Sequence, residues 1–351
     1  MFYRISRIKA KKMKYSISDI AEKAGVSTGT VSRVLNGKTD VRAETRRSIL
    51  AIVAEFNYRP QRAAAGGTIG IALKNPENIF TSIYFSRLMN GISGACFREG
   101  MDLKIFSYQE ADPENFIDLV NKKNPSGIIM LQTGPDDPAV LNLAETAVPH
   151  AVISNRFKNK KVSWIDSDHR SGMLSAVNHL IGLGHKNIIC ITPLPEKPGT
   201  TIRIAAFREC MQEYNPVFSD DDIIGTETSS MGEGFFLFHK LQKKDYNRPT
   251  AAIITNSNLA FGFLKAAKIS GLKIPADFSI ISFDDTPYFE SGDITVTCVQ
   301  QQLEEMGSAA ALHVIAGLAE KKTPLHMILP VKLAVRQSAC GSAIKKVLVS
   351  A

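Results

Sequence analysis

From Thr68 onward the chain alternates between short apolar runs and amphipathic stretches, and that alternation leaves few architectures open. The runs are "TIGIAL", "LKIFS", "GIIMLQ", "AVISN", "NIICIT", "DDIIGTE", "AAIITN" and "FSIISFDD". Helical periodicity fills the segments between them, as in residues 82–98, 170–183 and 258–270. Strands that are apolar nearly throughout are buried on both faces, which a parallel sheet covered by helices provides. Residues 68–340 are too many for one such sheet, so an α/β body of two parallel-sheet lobes is expected. Ligands in this architecture sit beyond the carboxyl ends of the strands.

The head of the chain differs in kind. Residues 1–62 carry 14 Lys/Arg against 5 Asp/Glu, leaving 28 against 29 for the rest of a chain whose net charge is +8. A basic head on a neutral body calls for a polyanion partner, and charge alone does not separate nucleic acid from an anionic membrane surface. The local pattern favours nucleic acid. "SISDIAEKAG" offers Ser18 as N-cap, Asp19 in the first turn and Gly25 as terminator. Ser27 then caps a second helix, "TGTVSRVLNG". A third, "ETRRSILAIVAEFNY", places Ile49, Ile52, Val53 and Phe56 on one face until Arg59-Pro60 stops it. Helix, tight glycine turn, helix is the helix-turn-helix arrangement, whose second helix enters the major groove. Thr28, Gly29, Thr30 and Ser32 are small enough for close backbone approach to a duplex. The first-turn amides and the Ser27 hydroxyl suit a phosphate, and Arg33 is the cation that reaches a base edge or a phosphate. A three-helix module with a merely solvated basic face has the same pattern.

Other classes are excluded by what the sequence lacks. The five cysteines are scattered with no CxxC pair, so neither a disulfide framework nor a zinc site is expected, and a reducing cytoplasm is the simplest setting. No apolar run is long enough to span a bilayer, and "MFYRISRIKAKKMKYS" lacks the apolar core of a signal peptide. The basic extension, residues 1–13, reads either as residues 1–12 ahead of a true start at Met13 or as a basic arm that touches phosphates. There is no phosphate loop, no GxGxxG at a strand–helix junction and no GxSxG, and the seven histidines show no metal spacing. His179 and His185 bracket a helix end and read as structural. An enzyme is therefore not expected, and neither a cofactor nor a metal.

"ISDIAEKAGVSTGTVSRVLNG…VRAETRRSILAIVAEFNYRPQRAA" resembles the head of the LacI/GalR family of bacterial repressors, down to "AGVS", "TVSRVLN" and "YRP". The resemblance implies an all-α three-helix helix-turn-helix domain over residues 14–62. It assigns base reading to Thr28 and Gly29, a base-contacting arginine to Arg33, and DNA-backbone contacts to Ser27, Thr30, Ser32, Asn36, Thr45 and Tyr58. Gly29 offers no side chain to read with, and Arg42 stands where a serine usually caps the third helix. The order of elements in the body is similar to the family's effector domain, which shares the two-lobed fold of type I periplasmic binding proteins. The lobes would cross near Asp168, Gln300 and His326, giving lobe one residues 68–167 and 300–326, lobe two residues 168–299 and 327–340, and a tail over 341–351.

Carried over position by position, the effector pocket comprises Tyr84, Phe85, Asn155, Arg156, Arg203, Asn256 and Asp284. Such a set suits a sugar or sugar derivative: amides and carboxylates on hydroxyls, a planar arginine fork, an aromatic face on C–H surface. Three departures mark the pocket. Asn155 and Ser257 replace the family's aspartates, and "TETSSMGEG" has no aromatic near Ser229. In the family a hinge helix follows the head and drives a leucine into the minor groove, kinking the operator. Here a shorter linker, residues 63–67, replaces it, and Gly67 stands at the wedge position. The resemblance thus implies a cytoplasmic, sugar-controlled repressor that binds a near-palindromic operator as a homodimer, with major-groove contacts prominent. Two other readings stay open: a regulator with a silent or non-sugar pocket, and a pure sugar-binding protein, against which the basic head and missing signal peptide argue.

Overall fold

The computed structural model describes residues 16–35, 41–56, 67–74, 79, 82–108, 113–194, 198–215, 217–243, 249–320 and 323–341. The expected extension 1–13, residues 63–66 of the linker, the tail beyond Gly341, and the site residues Asn36 and Tyr58 lie outside the described residues. The chain divides into a helical unit, residues 1–65, and a larger unit, residues 66–351.

The helical unit consists of α1 (Ile17–Ala24), α2 (Thr28–Leu35) and α3 (Ala43–Glu55). The expected cap on Ser18 is corrected to Ser16. The Ser16 hydroxyl accepts the Asp19 amide at 3.3 Å while the Asp19 carboxylate accepts the Ser16 amide at 2.6 Å. Ser18 would need such a partner at position 21, which is alanine, so the reciprocal capping box starts the helix earlier. Gly25, at φ 63°, ends α1 in the left-handed region. The Ser27 hydroxyl then accepts the Thr30 amide at 3.1 Å, opening α2. Ile20, Ala21, Val31, Val34, Ile49 and Ile52 close a small core among the three helices.

The larger unit runs β1 (Thr68–Leu73), α4 (Ile83–Glu99), β2 (Asp102–Ser107), α5 (Pro113–Lys123), β3 (Gly127–Leu131), α6 (Pro138–Ala144), β4 (His150–Ile153) and β5 (Trp164–Ser167). The chain then continues through α7 (His169–Gly182), β6 (Ile188–Pro193), α8 (Pro198–Tyr214), β7 (Ile223–Thr226), α9 (Met231–Lys243), β8 (Ala251–Ile254) and α10 (Ser257–Ile269). It ends with β9 (Ser279–Phe283), α11 (Pro287–Ser291), β10 (Thr297–Gln300), α12 (Leu303–Ala319), β11 (His326–Leu329) and β12 (Lys332–Ala334). One six-stranded sheet has the order β11-β5-β4-β3-β1-β2 and the other β12-β10-β9-β8-β6-β7. All pairings are parallel except β12 on β10.

The buried strands explain why both sheets are clothed on two sides. Alternate residues of β1 point to opposite cores: Ile69, Ile71 and Leu73 pack with α4 and α12, while Ala72 packs with α5 and α6. The second sheet is sandwiched in the same way. Helix pairs in each lobe approach at glycine. A Cβ at Gly91 of α4 would collide with the Glu304 carbonyl of α12, and one at Gly262 of α10 with the Met231 carbonyl of α9.

Four strands lie outside the eight apolar runs: β5, β10, β11 and β12. β5 carries a buried aspartate, β10 is four residues long, and β11 and β12 are half-exposed edge strands, so none reads as an apolar run. The chain passes between sheets at Asp168, at Gln301–Gln302 and at 330–331. The third passage lies past the expected His326, which instead opens β11 beside Trp164. Pro330 has no N–H to continue that ladder, and the chain leaves the sheet there.

Candidate functional site

On the helical unit, α2 turns Thr28, Gly29 and Arg33 outward, with Thr30 half-buried against the Ser27 hydroxyl at 2.9 Å. Arg33 Nε donates to the Gly29 carbonyl one turn back at 3.3 Å, so its side chain lies along the helix surface. Thr45 is half-buried on α3; for Ser32 only the backbone is described. Packing does not demand glycine at 29. An added Cβ would find its nearest atoms, Ser27 Oγ and Arg33 Nη2, at 3.7 and 3.9 Å.

In the larger unit, polar groups from both lobes gather near the first and second passages, at the carboxyl ends of strands. Tyr84, in the first turn of α4, meets the Ser154 hydroxyl at the end of β4. Burial raises the Tyr84 phenol, the charges of Asp284 and Asp166 push the same way and Arg203 opposes them, so these three are within electrostatic reach of it. Arg203, on α8 and 7% exposed, donates from Nη1 to the Thr255 carbonyl at 2.9 Å and lies 3.6 Å from the Phe283 ring centroid. Its Nε and Nη2 point at His169 Nδ1, at 3.3 and 3.2 Å. His169 Nε2 lies 3.0 Å from Asp166 Oδ1, and Arg156 Nε donates to Asp166 Oδ2 at 2.7 Å. Burial works against a charged Asp166, but His169 and Arg156 outweigh it and hold the carboxyl below its usual range. Asp284, at the end of β9, accepts from Gln301 of the second passage.

Of the seven expected effector residues, the structure brings together Tyr84, Arg203 and Asp284, with Arg156 behind them on Asp166. The other three have structural occupations. Phe85 is corrected to a core residue: 4% exposed, it packs in the apolar cluster of α4 and α12, because adjacent helical residues point about 100° apart. Asn155 is buried and spends its amide on Thr133 Oγ1 at 3.0 Å and the Gly134 carbonyl at 2.7 Å. Asn256 caps α10, accepting from the amides of Asn258 and Leu259. Sequence reasoning missed Asp166, His169, Ser154 and Gln301. The one available signal was "IDSDH", an acid and a histidine three apart at a strand end.

Beside the cluster, a cavity of about 830 Å³ follows the second and third passages, lined among others by Arg87, Asp285, Thr286, Gln300, Gln301 and Glu304. It shares Gln301 with the polar cluster. Gln301 is 3% exposed, and its Oε1 has no protein partner. Asp285, by contrast, is tied back by Arg336 at 2.7 Å and by Gln300 at 2.5 Å.

Residues 16–61 match the bacterial regulatory proteins of the lacI family, and residues 177–339 match a periplasmic binding protein-like domain. The chain is 32% identical to the HTH-type transcriptional regulator DegA of Bacillus subtilis (strain 168), covering 93% of this chain and 98% of that protein. It is 27% identical to catabolite control protein A of Priestia megaterium, covering 93% and 99%. Among solved structures, it is similar to a lac repressor dimer bound to operator and the anti-inducer ONPF, with TM-score 0.68, 24% identity and 93% and 100% coverage. It is also similar to the complex of the transcriptional regulator CelR with cellobiose, with TM-score 0.69, 22% identity and the same coverage.

Proposed function

Because the chain belongs to the lacI family of bacterial regulatory proteins and is a DNA-binding transcription regulator, we propose that it is a repressor whose operator binding answers to a sugar seated between its lobes. It works in the cytoplasm as a homodimer, one α2 helix per half-site of a near-palindromic operator. The observation that carries the DNA half is the outward face of α2. Thr28, Gly29 and Arg33 stand exposed on a helix whose other side closes the core through Val31 and Val34. The α2 amides, Ser27, Thr30, Ser32 and Thr45 hold phosphates, with Asn36 and Tyr58 in the same role.

The effector half rests on the convergence of Tyr84, Arg203 and Asp284 from two lobes, with Arg156 in support. A sugar or sugar derivative offers hydroxyls to Asp284 and Gln301 Oε1 and a C–H face to Tyr84. One observation favours the second reading, a silent or non-sugar pocket: Asn155 and Asn256 are already engaged in the fold. Gly67 bears on the hinge. Its carbonyl accepts the Asp102 amide at 2.9 Å, and a Cβ there would strike Met101 and Ser126, so residue 67 extends the pairing of β1 with β2, which argues against its acting as a minor-groove wedge. DNA recognition then leans on the major groove.

Selection of bound duplexes from a random pool, at one fixed moderate salt, tests the DNA half. A two-fold symmetric site is expected; binding that fades uniformly with salt and enriches nothing would refute sequence-specific repression. Thermal shift with cellobiose and with D-ribose tests the effector half. A ligand that binds only the native state stabilises it by about 2.7 kcal/mol at a hundred times its Kd. A flat response across a wider sugar panel would leave the silent or non-sugar pocket as the correct reading.

A further inference from the structure

His169 is 3% exposed and opens α7, directly after the first passage between the lobes. Two of its neighbours decide its chemistry. A guanidinium has donors only, so Nδ1, which faces Arg203 Nε and Nη2 at 3.3 and 3.2 Å, must accept. The single ring proton then sits on Nε2, where Asp166 Oδ1 accepts it at 3.0 Å. Arg203 is thereby held by His169 on its fork, by the Thr255 carbonyl on Nη1, and by the Phe283 ring beneath it.

We infer that His169 is a positioning residue for Arg203: it aims the guanidinium only as the neutral Nε2–H tautomer, which makes the arginine of the cleft acid-sensitive. The inference deepens the effector reading of Arg203 and rests on it for its functional consequence. The charged groups that face or act on the imidazole come from four places. Asp166 and Asp168 flank it at the first passage, and Arg203 approaches from α8. Asp284 acts from the end of β9, and Arg156 stands behind Asp166. Gly199 of α8 closes the Nε2 side, where even a methyl would lie 2.6 Å away. Burial and Arg203 push the imidazole below the ordinary histidine range against the pull of Asp166, so the neutral form is the resting one. A second ring proton would put an N–H where Arg203 needs an acceptor, and two cations would face each other in contact. Arg203 would then leave its seat over Phe283.

Two measurements on the full-length chain test this. With ¹⁵N-labelled histidine and arginine, only seven imidazoles contribute ring signals. One should carry its proton on Nε2 at about pH 7.5, titrate below the usual range, and move the Arg203 Nε–H signal as it does so. The second uses His169→Asn, which keeps an acceptor toward Arg203 but cannot titrate, and His169→Leu, which has none. With cellobiose or D-ribose as probe, wild-type affinity should fall about tenfold between pH 7.5 and a pH one unit below the ring's own titration point, as its ¹⁵N signal gives it. His169→Asn should lose that dependence, and His169→Leu should bind about tenfold more weakly at both pH values. An Nδ1–H or protonated ring at neutral pH, an Arg203 signal indifferent to the titration, or a His169→Asn variant with full acid sensitivity overturns the inference. If neither sugar binds, the effector reading loses support, while the ring and Arg203 signals still decide the role of His169.

Discussion

Among the described residues five with side chains adopt left-handed backbone, and three of them, Gln132, Ser154 and Asp284 at φ 60°, 66° and 79°, follow the last residue of a strand. Each such conformation costs on the order of 1 kcal/mol and persists where surroundings over-determine it. Two of them, Ser154 and Asp284, belong to the polar cluster between the lobes. At the reading helix, Arg33→Ala should weaken binding to the selected operator by about 1–3 kcal/mol and relax preference at one base pair, measured by fluorescence anisotropy. Equal weakening on every sequence would make Arg33 a phosphate contact. Gly29→Ala meets only ordinary van der Waals contact and gains helix propensity, so it should stabilise the helical unit by about 0.5–1 kcal/mol while impairing operator binding. Unimpaired binding would show that the small residue there serves nothing on DNA. That Arg203 and Asp284 stand in the polar cluster was legible because the chain has the family's order of elements. Asp166 and His169 were not, since pairing between a strand end, a helix start and a distant helix leaves no period in the sequence.

Elements were legible where burial was complete. β1, β3, β6, β8 and β9 lie almost wholly inside, and each shows as an apolar run. β11 and β12 escaped because edge strands keep half their residues toward solvent. The start of α1 was misplaced because two serines precede Asp19, and only the three-residue spacing from Ser16 completes the box. Ser16→Ala should therefore cost about 1 kcal/mol of the helical unit's stability, whereas Ser18→Ala should cost little; equal losses would count against Ser16 as the cap. In lobe one, Gly91→Ala forces α4 away from α12 and should cost about 1–3 kcal/mol in a thermal melt, against near-neutrality for the open Gly182→Ala.

For the whole molecule, acid should act in two stages. His150, His169, His179 and His185 are all held below the usual histidine value, with burial the leading cause in each. Neutral in the fold, they penalise it as the unfolded chain takes up protons, so stability should fall as pH drops below about 6.5 and level off below their folded values. Asp166 and Asp285 are held low by their partners, and the stability they contribute is lost later, as pH falls through their depressed values. Differential scanning calorimetry from pH 8 to pH 2 would show the first step and the onset of the second; a stability flat between pH 7 and pH 5 would contradict the first. The lobes themselves have little internal slack, since their helix pairs meet backbone to glycine, and among the described residues the chain crosses between them at Asp168, Gln301–Gln302 and residues 330–331. Three connections of one or two residues each resist sliding, because a shear would stretch all three together, yet each yields to small dihedral changes. Mechanically the larger unit is then close to a device with one degree of freedom, an opening angle. A single crosslink between lobes at the cleft mouth, touching none of Tyr84, Arg203 and Asp284, would suffice to fix that angle.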